Sequence, residues 1–144
     1  METETMGKVI VPARIENVYD LHEVSLGSRA ADAVRAVDVP DALVDTGAST
    51  LSLPKRLIVQ LGLKPFRIRH ARTAGGTASF QVYGTVRLTV QGRECTCDVL
   101  EIPDDCPVLI GLIPLEMLDF VVDPAKQCLI GNPEHGGEEM FELY

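Results

Sequence analysis

The chain has 144 residues, a hydrophobic content of 46% and a formal net charge of −8. That length suits one domain with one core, and that hydrophobic content is too high for a disordered chain. The basic residues read as scattered rather than striped, which argues against the positive face that nucleic acid requires.

Other whole-chain features narrow the class further. Residues 1–5 are acidic and show no apolar run behind a positive cluster, so no signal peptide is expected and a cytoplasmic location is. The densest apolar stretch, residues 107–122, is interrupted by Pro114, Glu116 and Asp119, which rules it out as a membrane span. Cys95, Cys97, Cys106 and Cys128 lack Cys-x-x-Cys spacing, and His22, His70 and His135 lie far from them. Reduced thiols are expected, with no metal and no cofactor.

Strand patterns dominate in chain order. Residues 8–15 alternate Val9, Val11, Ala13 and Ile15, and a turn at Glu16-Asn17 leads into a second expected strand over 18–26. Gly27-Ser28 punctuates the chain, and 33–39 reads as another strand ending before Pro40-Asp41. Pro54 can open a short helix, with Leu57, Ile58 and Leu61 at helical spacing and Gly62 as the stop. The clearest period-two pattern places Phe80, Val82, Gly84, Val86, Leu88 and Val90 on one face. Gln91-Gly92 then turns the chain into an antiparallel neighbour over 94–102. Pro114 can open a second short helix through Leu115 and Leu118, followed by a hairpin around Asp123-Pro124-Ala125-Lys126. Many short strands with one or two short helices predict a mainly β domain. The domain spans 1–144, with its core over about 8–130 and an acidic, loose tail over 131–144. In that tail Met140, Phe141, Leu143 and Tyr144 remain available to dock.

The most informative segment is Leu43-Val44-Asp45-Thr46-Gly47-Ala48-Ser49-Thr50. An apolar strand delivers Asp45 to the end of a buried element, where an acid is poorly solvated and often does chemistry. Gly47 permits a tight turn and close approach of backbone to a ligand. Taken alone, the same letters also fit a surface turn capped by the Asp45 side chain. Downstream, Val108-Leu109-Ile110-Gly111 forms an apolar strand stopped by glycine, and alone it reads as core. Between the two segments lies a hairpin turn of small residues over 73–79, as a mobile loop would have.

Together these segments resemble the retroviral-type (retropepsin-like) aspartic proteases. Leu43 to Ala48 is similar to the catalytic loop, Gly75-Gly76-Thr77-Ala78-Ser79-Phe80 to the flap tip, and Leu109-Ile110-Gly111, followed by Leu112 to Leu118, to the strand and helix near the family's C-terminus. The resemblance implies a closed, barrel-like retropepsin fold with one catalytic loop per chain. It implies an aspartic endopeptidase in which Asp45 is catalytic, supported by Thr46, Gly47 and Ala48. Peptide would be held by Gly47, Ser49, Gly75, Gly76, Thr77 and Ala78, with Pro107, Val108 and Leu109 lining an apolar pocket. The chain contains no second Asp-Thr-Gly or Asp-Ser-Gly, so the resemblance implies a homodimer in which each copy supplies one carboxylate. Thr46 would brace the two loops across the twofold axis. Ser49, Thr50 and Leu112 stand where viral members often carry charged residues, which predicts a dimer interface unlike the viral one in a free-standing cellular member. The same fold used without catalysis, as a dimerisation or peptide-binding module, is the alternative, and an unrelated small β-barrel is the third reading.

Overall fold

The computed structural model describes residues 8–143. The expectations for residues 1–5 and Tyr144 lie outside them. Six strands close into a ring: β1 (Val9–Asn17), β2 (Ala36–Val44), β7 (Leu109–Ile110), β3 (Leu51–Pro54), β6 (Arg93–Ile102) and β5 (Gly76–Val90), with β5 pairing back onto β1. The pairs β2–β7 and β3–β6 are parallel and the others antiparallel, so the ring is not a regular barrel. The seventh strand, β4 (Lys64–Thr73), hangs on the free half of β5 as an edge. A separate hairpin joins β8 (Phe120–Asp123) to β9 (Cys128–Gly131).

The alternation read from β1 and from residues 86–90 of β5 is the alternation of burial, whereas Tyr83, expected on the polar face, is buried in the core where the β5–β6 pairing shifts register. Val9, Val11, Ala13 and Ile15 point inward, as do Val86, Leu88 and Val90, while Ile10, Pro12 and Arg14 face out. One face of these stretches thereby fills the ring, and two short helices add buried side chains. Of these, α2 (Lys55–Gln60) contributes buried Ile58, and α3 (Leu112–Leu118) contributes Leu115 and Leu118.

Two further sequence expectations are corrected. Residues 18–26 do not form a strand: Val18–Ser25 is the helix α1. The β-branched residues there favour a strand, but Asn17 caps the helix by accepting from the Asp20 N–H at 3.1 Å. Asp20, 1% exposed, then accepts from Arg35 through both carboxylate oxygens at 2.8 Å and from the Arg35 backbone N–H at 2.9 Å. Arg29 adds a contact at 3.3 Å. The second correction concerns β2, which starts at Ala36, after a 3-10 turn over Ala31–Ala33, and does not end at Val39 but runs through Pro40-Asp41 to Val44. Its pairing with β1 slips between Val11 and Ala13, opposite that dipeptide, so the bulge absorbs a residue that cannot donate to the ladder.

The Arg35 guanidinium holds the Asp20 carboxyl down to about 2, against the desolvation that raises it. Its folded value lies below the ordinary unfolded value of about 4, so its contribution is present above that pH and lost as pH falls through about 2. Asp20→Asn should therefore cost about 2 kcal/mol near neutrality, the scale of a lost charge-assisted hydrogen bond. It should also flatten the pH dependence of the urea midpoint between about pH 2 and pH 4. Equal midpoints for the two proteins across pH 2–7 would refute this role.

The tail is less loose than its composition suggests. Asp119, at φ 61° after α3, lies 2.6 Å from His135 Nδ1 and accepts from the Met140 N–H at 3.0 Å. His135 Nε2 lies 2.9 Å from Glu142. Asp119 draws the His135 pKa up, with Glu142 adding to it, and His135 in turn draws Asp119 down. Arg93 donates to the carbonyls of Leu118, Asp119 and Gly137 and stacks 4.5 Å over the Phe120 ring. The side chains of Met140, Phe141 and Leu143 stay exposed.

Candidate active site

The site starts from β2. Its last residues lie alongside β7, with Leu43 opposite Leu109 and Val44 opposite Ile110. The Leu43 N–H donates to Val108 O at 2.8 Å and the Asp45 N–H to Ile110 O at 2.9 Å, so Asp45 leaves the ring at a fixed point. The chain then turns sharply, with the Ala48 N–H donating to Asp45 O at 3.0 Å. The Gly47 N–H donates to Asp45 Oδ1 at 2.9 Å. A Cβ on Gly47 would sit 3.2 Å from that same oxygen, so the glycine leaves room for the carboxylate. Asp45 is half-buried, while Thr46 and Gly47 are exposed.

Gly111 locks this turn in place. The Gly111 N–H donates to Thr50 O at 3.0 Å, Leu112 N–H to Ala48 O at 2.8 Å and Ile113 N–H to Ser49 O at 3.0 Å. The amides that open α3 have no side-chain cap, and the carbonyls of the Asp45 turn take that place. The backbone of Gly111 is ordinary extended chain; its constraint is space. A Cβ there would lie 2.5 Å from Thr50 O and 2.7 Å from both Ala48 O and Thr50 N. The sequence segments around Asp45 and Gly111 thus form one structural unit.

A cleft of about 630 Å³ opens beside the turn. Ala48, Ser49 and Thr50 line it on one side, Ile113 and Met117 of α3 on another, and the inner face of the β4–β5 hairpin covers it. Phe80, Val82 and Leu100 give it an apolar surface, and Arg67, Arg69 and Asp98 give it charge. Of the residues named from sequence, Ser49 and Ala48 reach this cleft. Gly75 lies in the two-residue turn of the hairpin, and Gly76, Thr77 and Ala78 already belong to β5. Ala78 pairs with Ala71, which lines the cleft. Leu109 lies opposite Ser52, another cleft residue. Pro107 and Val108 line a different hollow of about 350 Å³, with Val37, Pro40, Arg56 and Gln60.

Sequence reasoning missed Arg67, Arg69, Ile113 and Met117. The signals were present. Arg67, Arg69 and Ala71 are spaced by two and share a strand face, and Ile113 and Met117 are four apart on a helix. Among the described residues no three His, Cys, Asp or Glu side chains converge as a metal site would need, and no helix is long and apolar enough to cross a membrane.

The family model described as "gag-polyprotein putative aspartyl protease" matches residues 37–119, which include the Asp45 turn, the hairpin, Gly111 and α3. The solution structure of the simian foamy virus (mac) protease is similar at 20% identity and a TM-score of 0.48, covering 76% of this chain and 93% of that one. No curated protein sequence is close enough to count as a relative. With its match running through more than half of the sequence and across the whole Asp45 unit, this chain belongs to the gag-polyprotein aspartyl protease family of retroviral type.

Proposed function

We propose that the chain is an aspartic endopeptidase whose active form is a homodimer carrying one Asp45 from each copy. The observation that supports this most is the setting of Asp45. Its Oδ1 is held by the Gly47 N–H, while among the described residues Oδ2 has no hydrogen-bond partner, and the exposed Thr46-Gly47 surface lies beside it. One chain thus offers half of a two-carboxylate site on a surface a second copy can cover.

Two carboxylates brought together there cannot both ionise readily, so the pair keeps one proton, the behaviour for which aspartic proteases are the standard example. The ionised partner takes a proton from the attacking water, and the protonated one donates to the peptide carbonyl oxygen. Thr46 braces the two turns across the axis. The β4–β5 hairpin, with Gly75 and Gly76 at its tip, acts as a flap over an extended peptide. Ser49, Gly47 and flap backbone bond the peptide as an added strand, and Leu109 faces its apolar side chains. Apolar residues are expected on both sides of the cleaved bond, because an unpaired charge buried there costs several kcal/mol.

The test is peptide hydrolysis at acidic pH with and without a pepstatin-type inhibitor, alongside sedimentation of the same sample. Inhibitor-sensitive cleavage by a species of twice the chain mass is the expected result. A dimer that binds peptide without cutting it would instead favour a non-catalytic module.

A further inference from the structure

The cleft carries a charge pattern at odds with the chain as a whole. Net charge is −8, yet eight of the 13 Lys and Arg residues lie between Thr46 and Arg93, a span with no Asp or Glu. The impression of scattered basic residues is therefore overturned. Four of those cations, with His70, fall on β4, and two of them, Arg67 and Arg69, line the cleft while remaining solvent-exposed. Arg67 pairs with Val82 and Arg69 with Phe80 across the hairpin, and all four line the cleft.

The two arginines are not equivalent. Arg67 lies 3.9 Å from Asp98 and 5.4 Å from the Phe66 ring, so part of its charge is already answered. The Arg69 side chain has no ion pair, hydrogen bond or ring contact among the described residues. It stands over Phe80, beside the apolar wall of Val82, Leu100 and Ile102, where screening is weaker than in bulk water. Cross-strand placement lets its aliphatic stem lie along Phe80 while the guanidinium reaches into the cleft.

We propose that Arg69, aided by Arg67, selects substrates carrying an Asp or Glu outside the two positions that flank the cleaved bond. The proposal rests on the endopeptidase reading and names its substrate class: extended peptides with an apolar pair at the cut and an acid further along. Asp45 does not itself line this cleft, which places the arginines away from the reacting carbonyl. A guanidinium matches a carboxylate through two parallel N–H bonds, which lysine cannot do. Charges on an edge strand also discourage edge-to-edge pairing, but that role is indifferent to substrate charge.

The experiment uses internally quenched peptides with one apolar pair and Glu, Gln or Lys placed two to four residues to either side, at pH 6. At one position Glu should exceed Gln by about fivefold in kcat/KM, the scale of one or two partly exposed ion pairs, and the ratio should shrink with salt. Arg69→Glu should reverse the order so that Lys is preferred. Arg72→Glu, on the same strand but off the cleft, should leave it unchanged. No preference for Glu, or the same preference in wild type and Arg69→Glu, overturns the proposal. If no peptide is cut, the endopeptidase reading fails separately, and anisotropy with reduced-amide versions of the Glu and Gln peptides decides this one. Tighter binding of the Glu peptide that Arg69→Glu abolishes supports it, and equal or absent binding overturns it. Tighter binding of a single-stranded oligonucleotide than of the Glu peptide overturns it in favour of a nucleic-acid groove.

Discussion

Asp45→Asn should lower kcat/KM for peptide cleavage by at least about a thousandfold while leaving the fold intact. Removing the ionisable group takes away both the base and the acid, since each copy contributes the same residue, and general acid–base catalysis alone is worth about 10²–10⁴. Asparagine Oδ1 can still accept from the Gly47 N–H, so the turn keeps its anchor at 2.9 Å in the wild type. The unfolding free energy should therefore change by less than about 1 kcal/mol. A mixing experiment adds a sharper readout. When equal amounts of variant and wild type exchange freely, only dimers with two aspartates cut, so activity should fall to about a quarter rather than a half. Activity proportional to the wild-type fraction would refute a dyad shared between chains, and undiminished activity of the pure variant would refute the mechanism itself.

Gly111→Ala should damage both stability and activity. The added Cβ would meet three backbone atoms of the Asp45 turn at 2.5–2.7 Å, and backbone cannot rotate aside as a side chain can. Either β7 moves away from β3 or the carbonyls of Ala48 and Thr50 release the amides of α3. Overpacking of this kind costs about 1–3 kcal/mol, and each lost buried hydrogen bond adds about 1. A fall in Tm of about 10 °C is expected for a chain of this size. Because the disturbed atoms carry the turn, activity per folded molecule should fall as well, measured where both proteins remain folded. A Tm within 2 °C of wild type would show that the turn can yield and is not held as described.

The same two residues, Asp45 and Gly111, mark what could be read from sequence. Period-two alternation was visible over residues 9–15 of β1 and 86–90 of β5 because those stretches bury one face, and Asp45 and Gly111 stood out as acid and glycine ending apolar runs. What joins them, three amide-to-carbonyl bonds, has no side-chain signature and could not be read. Helix α1 was hidden because its stability comes from Arg35 reaching back to Asp20, a partner supplied by a later segment. The passage of β2 through Pro40 was hidden for a related reason, since the bulge that permits it belongs to the pairing with β1. Pro107 and Val108 line a different hollow from Ser49, beside Arg56 and Gln60 of α2, a neighbourhood set by tertiary packing that an apolar run does not announce.

The bonding of α3 to the Asp45 turn has a mechanical consequence. Ile113 and Met117 ride on the helix whose first amides grip residues 48–50, so turn, helix and the cleft wall they make form a single stiff jaw. The opposite jaw is built differently. From Gln81 to the tip, β5 has β4 as its one strand partner among the described residues, a two-stranded ribbon of the kind that is marginal on its own in water. Any give in the cleft must come from that ribbon. A peptide strand laid beneath it would act as a splint, and the chain would discriminate among peptides by how well each braces the ribbon, with the floor unchanged.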